Sequence, residues 1–383
     1  MRSDRNTGME TGQDDLTFFQ FRQGRSIIFM DFAAACATTA MGIMPHKDVE
    51  KALALALSLD IPFWPQLPHL SLYEDMYIQT SQNFPGIEID LEKGKIVFSS
   101  EKFYRELDDY FSRMDDPETY ELTSPYSLVW EKFLAQNLED YRAIRGQVTG
   151  PVSFGFKVLD ENLKPIIYHE EAKAILFDFV QKKVNGQYQK LKVKNKNAFV
   201  WVDEPGLGYI FSGLSGYNEL QAKKDYDQFM QGLEGPKGLH LCAEVNLPYL
   251  LELGVKILSF DAWQMGFMPK EYVQSVADFI SRGGVISWGI VPTEFKILAS
   301  QNPENLADVL LSYWEVISKN SSLSLEQIAA QALLAPARCC LVDLSIEAEE
   351  GQENFTREEK NVEQSFAILR ELSQILKQKW GFK

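Results

Sequence analysis

What most constrains the fold of this chain is a rhythm. Short apolar runs of β type alternate with long amphipathic stretches from about residue 34 to the C-terminus. Eight runs have the length and composition of core strands: Ala34–Met41, Ile61–Leu67, Ala143–Thr149, Ala198–Asp203, Leu239–Cys242, Lys256–Asp261, Val285–Val291 and Ala332–Ala335. Between them apolar residues recur at helical spacing in Asp48–Leu59, Pro125–Leu138, His169–Leu191, Tyr217–Gln231, Pro269–Ser281 and Pro303–Lys319, with a last such stretch at Glu358–Lys379. A crossover helix between two strands makes them parallel, and eight such units over 383 residues predict an α/β fold, a closed (β/α)8 TIM barrel forming a single domain.

Two segments fall outside the rhythm. Gly86–Phe98 alternates apolar and polar residues around Glu92-Lys93-Gly94, which reads as a β-hairpin inserted after the second strand and outside the barrel. Residues 1–16 are polar and aperiodic, so they read as a disordered leader, with the barrel domain spanning 17–383. A split into two domains at 150–170 is the competing organisation, but no Gly/Ser-rich joint marks it.

Composition narrows the function classes. A net charge of -16 and no basic cluster interleaved with aromatics argue against a nucleic-acid partner. The apolar stretch Ile27–Met44 contains Asp31, is followed by Pro45 and lacks a signal-peptide layout, so no membrane partner is expected and the chain reads as cytoplasmic. Four cysteines, two of them adjacent, make no disulfide framework; in a reducing compartment such thiols bind metal, catalyse or are buried. Cys36 lies inside the first run and is expected in the core, and Phe63-Trp64-Pro65 reads as packing.

Chemistry concentrates at the run ends, where active sites of parallel barrels gather. His240-Leu241-Cys242 closes the fifth run and sends an imidazole and a thiol to one face. Asp261 closes the sixth, and Cys339 and Cys340 follow the eighth. Soft nitrogen and sulfur donors select zinc, so His240 and Cys242 with Asp261 and one of the late cysteines form a candidate zinc site, with Glu244 as an alternative oxygen ligand. Asp203-Glu204-Pro205 ends the fourth run and adds two carboxylates, which either enter the site or cap the next helix.

These residues resemble a known family. Thr38-Thr39-Ala40-Met41-Gly42, Thr149-Gly150-Pro151-Val152, Asp203-Glu204-Pro205, His240-Leu241-Cys242 and a late cysteine look like the catalytic barrel of cobalamin-independent methionine synthase. Gly42-Ile43-Met44-Pro45-His46, Ile61 to Pro68, Leu258 to Ala262 and Trp288 to Thr293 resemble short single-barrel bacterial members of the superfamily joining uroporphyrinogen decarboxylase and methionine synthase.

The resemblance implies a zinc-dependent methyltransferase that moves a methyl group from a corrinoid or methyltetrahydrofolate donor to homocysteine or a related thiol, zinc serving to deprotonate that thiol. It places His240, Cys242 and Cys339 at three ligand positions, with Asp261 where full-length synthases carry the longer glutamate. It gives Asp203 the substrate's amino group, Glu204 the support of the local geometry, and Gly42 a place at the substrate. Three departures stand out. Ile43 follows Gly42 where the family carries serine, Ala337-Arg338-Cys339-Cys340 replaces Pro-Ser-Cys-Gly, and a second N-terminal barrel is missing, which turns the expected donor toward a corrinoid or corrinoid protein.

Two other classes remain. A metal-free decarboxylase of the uroporphyrinogen type is faintly suggested by Arg22 and Arg25, and disfavoured by the scarcity of arginine at the other run ends. A non-catalytic barrel that binds a corrinoid protein is the other.

Overall fold

The computed structural model describes residues 33–211, 215–242, 246–339 and 352–383, with the backbone alone for 352–356. The expected leader, Arg22, Arg25, Glu244 and Cys340 lie outside the described residues.

The fold is α/β, built on a curled parallel sheet of seven strands. In chain order these are β1 (Ala37–Thr38), β4 (Arg145–Thr149), β6 (Phe199–Asp203), β7 (Lys237–Leu241), β8 (Ile257–Asp261), β9 (Val285–Val291) and β10 (Ala332–Pro336). They lie in the order β1-β10-β9-β8-β7-β6-β4, and every pairing is parallel. The other strands, β2 (Ile87–Asp90), β3 (Lys95–Phe98) and β5 (Leu159–Asp160), make a separate small sheet in which β2 and β3 form the expected antiparallel hairpin.

Helices fill the connections: α1 (Val49–Leu57), α2 (Met76–Ser81), α3 (Ser100–Arg113), α4 (Trp130–Leu134), α5 (Pro151–Lys157), α6 (Glu170–Lys194), α7 (Glu219–Gln231), α8 (Leu247–Glu252), α9 (Lys270–Ser281), α10 (Phe295–Leu298), α11 (Pro303–Lys319), α12 (Leu325–Ala330) and α13 (Gln352–Trp380). α6 packs on β4 and β6, while α13 packs on β1, β9 and β10. Their starts follow capping chemistry: Asp48 accepts from the N–H groups of Glu50 and Lys51, and Ser324 with Gln327 forms a capping box.

Strand parity sorts the side chains. Val200, Val202, Leu239, Leu241, Leu258, Phe260, Ile286 and Trp288 join the large core cluster shared with the helices. Residues of the opposite parity, Phe199, Trp201, Ile257, Val285 and Leu333, form a second, smaller cluster on the other face of the sheet. That second face carries Asp203, His240, Ser259 and Asp261 by the same parity, all at or near strand ends.

One expected strand is absent. Ile61–Leu67 makes only single parallel bridges, Phe63 with Arg145 of β4 and Gln66 with Ile43. Its backbone still touches both ends of the sheet order, since Ile61 N–H donates to the Thr38 carbonyl (2.9 Å) and Arg145 N–H to the Pro62 carbonyl (3.0 Å). Pro62 and Pro65 have no N–H to give a ladder, which is the physical reason the run stays irregular. The first run also shrinks to two residues, because Ala35 and Cys36 sit at φ 45° and 59°, a left-handed turn that no strand contains. Cys36 is buried as expected, its thiol donating to the Ala329 carbonyl at 3.5 Å. Among the described residues no helix is long and apolar enough to cross a membrane.

Candidate active site

Asp203 and Glu204 are neighbours with different surroundings. Glu204 is fully buried and accepts hydrogen bonds from Val152 N–H (3.1 Å), Ser153 N–H (2.8 Å) and the Ser153 hydroxyl (2.5 Å). It therefore caps α5, whose N-cap residue Gly150 has no side chain to do so. Gly150 must remain a glycine for this, because a Cβ there would lie 2.1 Å from Glu204 Oε1. Burial pushes the Glu204 carboxyl up to about 7, against the downward pull of its Ser153 and Val152 bonds.

Asp203 faces Thr149 on one side and His240 on the other in the strand register. Burial pushes its carboxyl up to about 7 as well, with the Arg145 guanidinium pulling the other way. Arg145 is completely buried, 4.6 Å from the Phe63 ring centre and 4.0 Å from that of Trp201. It donates to Thr39 Oγ1 (3.1 Å) and Gln147 Oε1 (2.9 Å), while its second terminal nitrogen has no partner.

His240 stacks on the far-reaching Trp201 ring, with centroids 5.6 Å apart and planes 22° from parallel, and Nδ1 lies 3.0 Å from Ser259 Oγ. Burial first, and the Arg145 charge second, push the imidazolium down to about 3, so the ring is neutral at physiological pH. In the tautomer that donates from Nδ1 to Ser259, Nε2 presents a lone pair, which is the state a metal ligand requires.

Cys242 directly follows β7, and Cys339 lies nearly a hundred residues further on, after β10. Burial pushes the Cys242 thiol up to about 12, with Cys339 and then Asp203 raising it further and Arg338 opposing. Asp261 accepts from Gln264 N–H at 3.0 Å, and its other oxygen lies 3.5 Å from the Arg338 guanidinium, an ion pair too long for a hydrogen bond. Burial raises the Asp261 carboxyl, with Gln264 and Arg338 opposing. Gly42 is wedged against Gln147 and Gln66, where a Cβ would come within 2.6 Å and 2.8 Å.

The donor types suit zinc, but among the described residues no three His, Cys, Asp or Glu side chains are grouped closely enough to hold one ion. The expected four-ligand set is thus not assembled.

Two arginines escaped the sequence reading. Arg145 opens β4 on the parity of Thr149, and a charge inside an otherwise buried run was the available signal. Arg338 stands directly before Cys339 and reaches Asp261.

No family model matches the sequence, and no curated protein matches it. Solved structures do. A B12-independent methionine synthase from a Shewanella species, solved with selenomethionine, aligns at a TM-score of 0.38 and 13% identity over 62% of this chain and 63% of that one. The chain thus spans less than two thirds of that protein, and a TM-score this low carries no argument. A methyltransferase from Methanosarcina mazei aligns at a TM-score of 0.50 and 15% identity, over 89% of this chain and 94% of that one, a likeness of fold.

Proposed function

We propose that this chain is a methyltransferase of the methionine synthase type, acting at the strand ends on a small thiol such as homocysteine, with a corrinoid or methyltetrahydrofolate as donor. The observation that carries the reading is that Asp203, His240 and Asp261 stand on one face of the sheet at the ends of β6, β7 and β8, with Cys242 directly after β7 and Cys339 shortly after β10. The neighbour from Methanosarcina mazei, a methyltransferase of similar fold and length, supports it. In this reading the sheet is a barrel whose eighth stave is the irregular Ile61–Leu67 segment, and Asp203 receives the substrate ammonium.

Methyl transfer to a thiol forms an S–C bond while the donor keeps the electron pair of the bond that breaks, and the thiol proton must leave. Zinc held by His240, Cys242 and Cys339, with Asp261, would supply that acidification. This zinc part of the proposal requires the strand ends to draw closer than they lie, with Cys340 and Glu244 as further candidate ligands.

Metal analysis tests it on protein purified without added zinc. About one zinc per chain is expected, lost in His240→Ala and in Cys242→Ser. A parent protein free of zinc sinks the metal reading. Methionine formed from homocysteine and methylcobalamin or methyltetrahydrofolate, measured by mass spectrometry, tests the transfer itself.

A second reading is favoured by Arg145 and Arg338, two cations beside the strand-end carboxylates: a metal-free decarboxylase binding a polycarboxylate substrate. Binding of a porphyrinogen-like polycarboxylate, lost in Arg338→Ala, would replace the first reading.

A further inference from the structure

The prolines that keep Ile61–Leu67 from forming a ladder leave β4 flanked there by side chains, and a cavity of about 300 Å³ lies among them. Trp64, Trp130, Tyr120 and Val148 give it apolar walls, and α6 contributes Lys183 and Gly186. Its lining meets the surroundings of the strand-end site through Gln66 and Gln147, which flank Gly42, while Asp203, His240, Cys242 and Asp261 do not line it.

Lys183 is 5% exposed and makes neither a hydrogen bond nor an ion pair among the described residues. The Phe179 ring, 5.4 Å from Nζ, is its one recorded neighbour of note. No acid offsets the burial, which by itself drives the ammonium down to about 7. Lysine is almost never buried without a counter-ion, because desolvating an ammonium is costly. Glu121, the one acid that lines the cavity, is partly exposed and paired at 2.7 Å with Lys190, a second lining residue.

Gly186 is the second observation. A glycine in the interior of a 25-residue helix weakens it relative to alanine, so it calls for a local reason. Crowding is not the reason, since nothing lies within 4 Å of where its Cβ would be. The missing side chain keeps the cavity open.

We propose that this cavity is a second ligand site, distinct from the strand-end carboxylates and thiols, that takes a small monocarboxylate with an apolar body, its carboxylate paired with Lys183 and its body against the wall that Trp64 and Trp130 make by packing edge to face. One unpaired cation fits one negative charge, and the aromatic walls fit a ring or short alkyl chain. The volume suits a molecule of about benzoate's size at the lower end of ligand pockets.

Calorimetric titration of the full chain with benzoate, phenylacetate and hexanoate tests this, with benzamide as the uncharged control. At least one of the three acids should bind saturably, benzamide should not, and Lys183→Met should weaken the acid about tenfold or more. Gly186→Leu, whose Cβ meets open space, puts bulk into the cavity and should abolish binding while the chain stays folded by circular dichroism. If none of the acids binds the parent, or if Lys183→Met binds as tightly as the parent, the proposal is overturned. Binding that survives Gly186→Leu overturns the location.

Discussion

At the strand ends buried ionisable groups stand in company, whereas in the layer between β4 and α6 one stands by itself. Asp203, His240, Cys242, Asp261 and Glu204 each have a neighbour that offsets part of their burial: Arg145, Ser259, Arg338 or the α5 backbone. Lys183 has none. The first arrangement holds side chains in fixed positions, as chemistry demands, at a modest cost in stability. The second leaves an uncompensated charge, which makes sense where a ligand completes it.

The comparison predicts opposite signs for mutations in the two regions. The largest effect is expected for Glu204→Ala, which leaves two backbone N–H groups and the Ser153 hydroxyl buried without an acceptor and should cost about 4 kcal/mol in urea unfolding. A loss below about 1 kcal/mol would show that water replaces the carboxylate and that the strand-end network is not rigid.

Glu74 sharpens the comparison, because it is fully buried and its donors are neutral: the Leu128 and Leu67 N–H groups and the Gln79 amide. Burial lifts its carboxyl from the ordinary 4.5 to about 7. Between those values the folded chain keeps a proton that the unfolded chain has released, so stability falls as pH rises through the window. Glu74→Gln should flatten that fall by about 2–3 kcal/mol, read from unfolding curves at pH 5 and 8. An unchanged pH profile would mean that this carboxyl titrates normally.

In the α6 layer, Lys183→Met should raise stability by roughly 2 kcal/mol at pH 7, seen as a rise of about 2–3 °C in Tm. A fall would mean that the ammonium is already compensated and would erase the contrast. The smallest effect is expected from Gly186→Ala, a gain of about 0.5–1 kcal/mol from helix propensity, since its Cβ meets open space.

Much of the sheet was legible in the sequence. Val285–Val291 is a strand over the same residues, and Ala198–Asp203 and Lys256–Asp261 are each one residue too long. The inserted hairpin also stands where alternation puts it. The misses are instructive. Ile61–Leu67 has the apolarity of a strand but carries prolines that deny the ladder, and the Ala34–Met41 run is cut short by a left-handed turn at Ala35 and Cys36. Pro125–Leu138 reads as a long helix, yet α4 covers only Trp130–Leu134.

Of the site, the sequence placed Asp203, His240 and Asp261 at the ends of their strands, because where an apolar run stops is a local property, and the structure adds that they share one face of the sheet. It left Glu204 undecided between substrate and helix cap, and only the packed structure joins it to α5. Arg145 against Trp201 and Arg338 beside Asp261 were equally out of reach. So was the isolation of Lys183 in its cavity, since on the helix it is one more lysine among several. Local periodicity is written into neighbouring residues and can be read without a fold. Which buried charge finds a partner depends on residues brought together from distant parts of the chain, and that only tertiary packing decides.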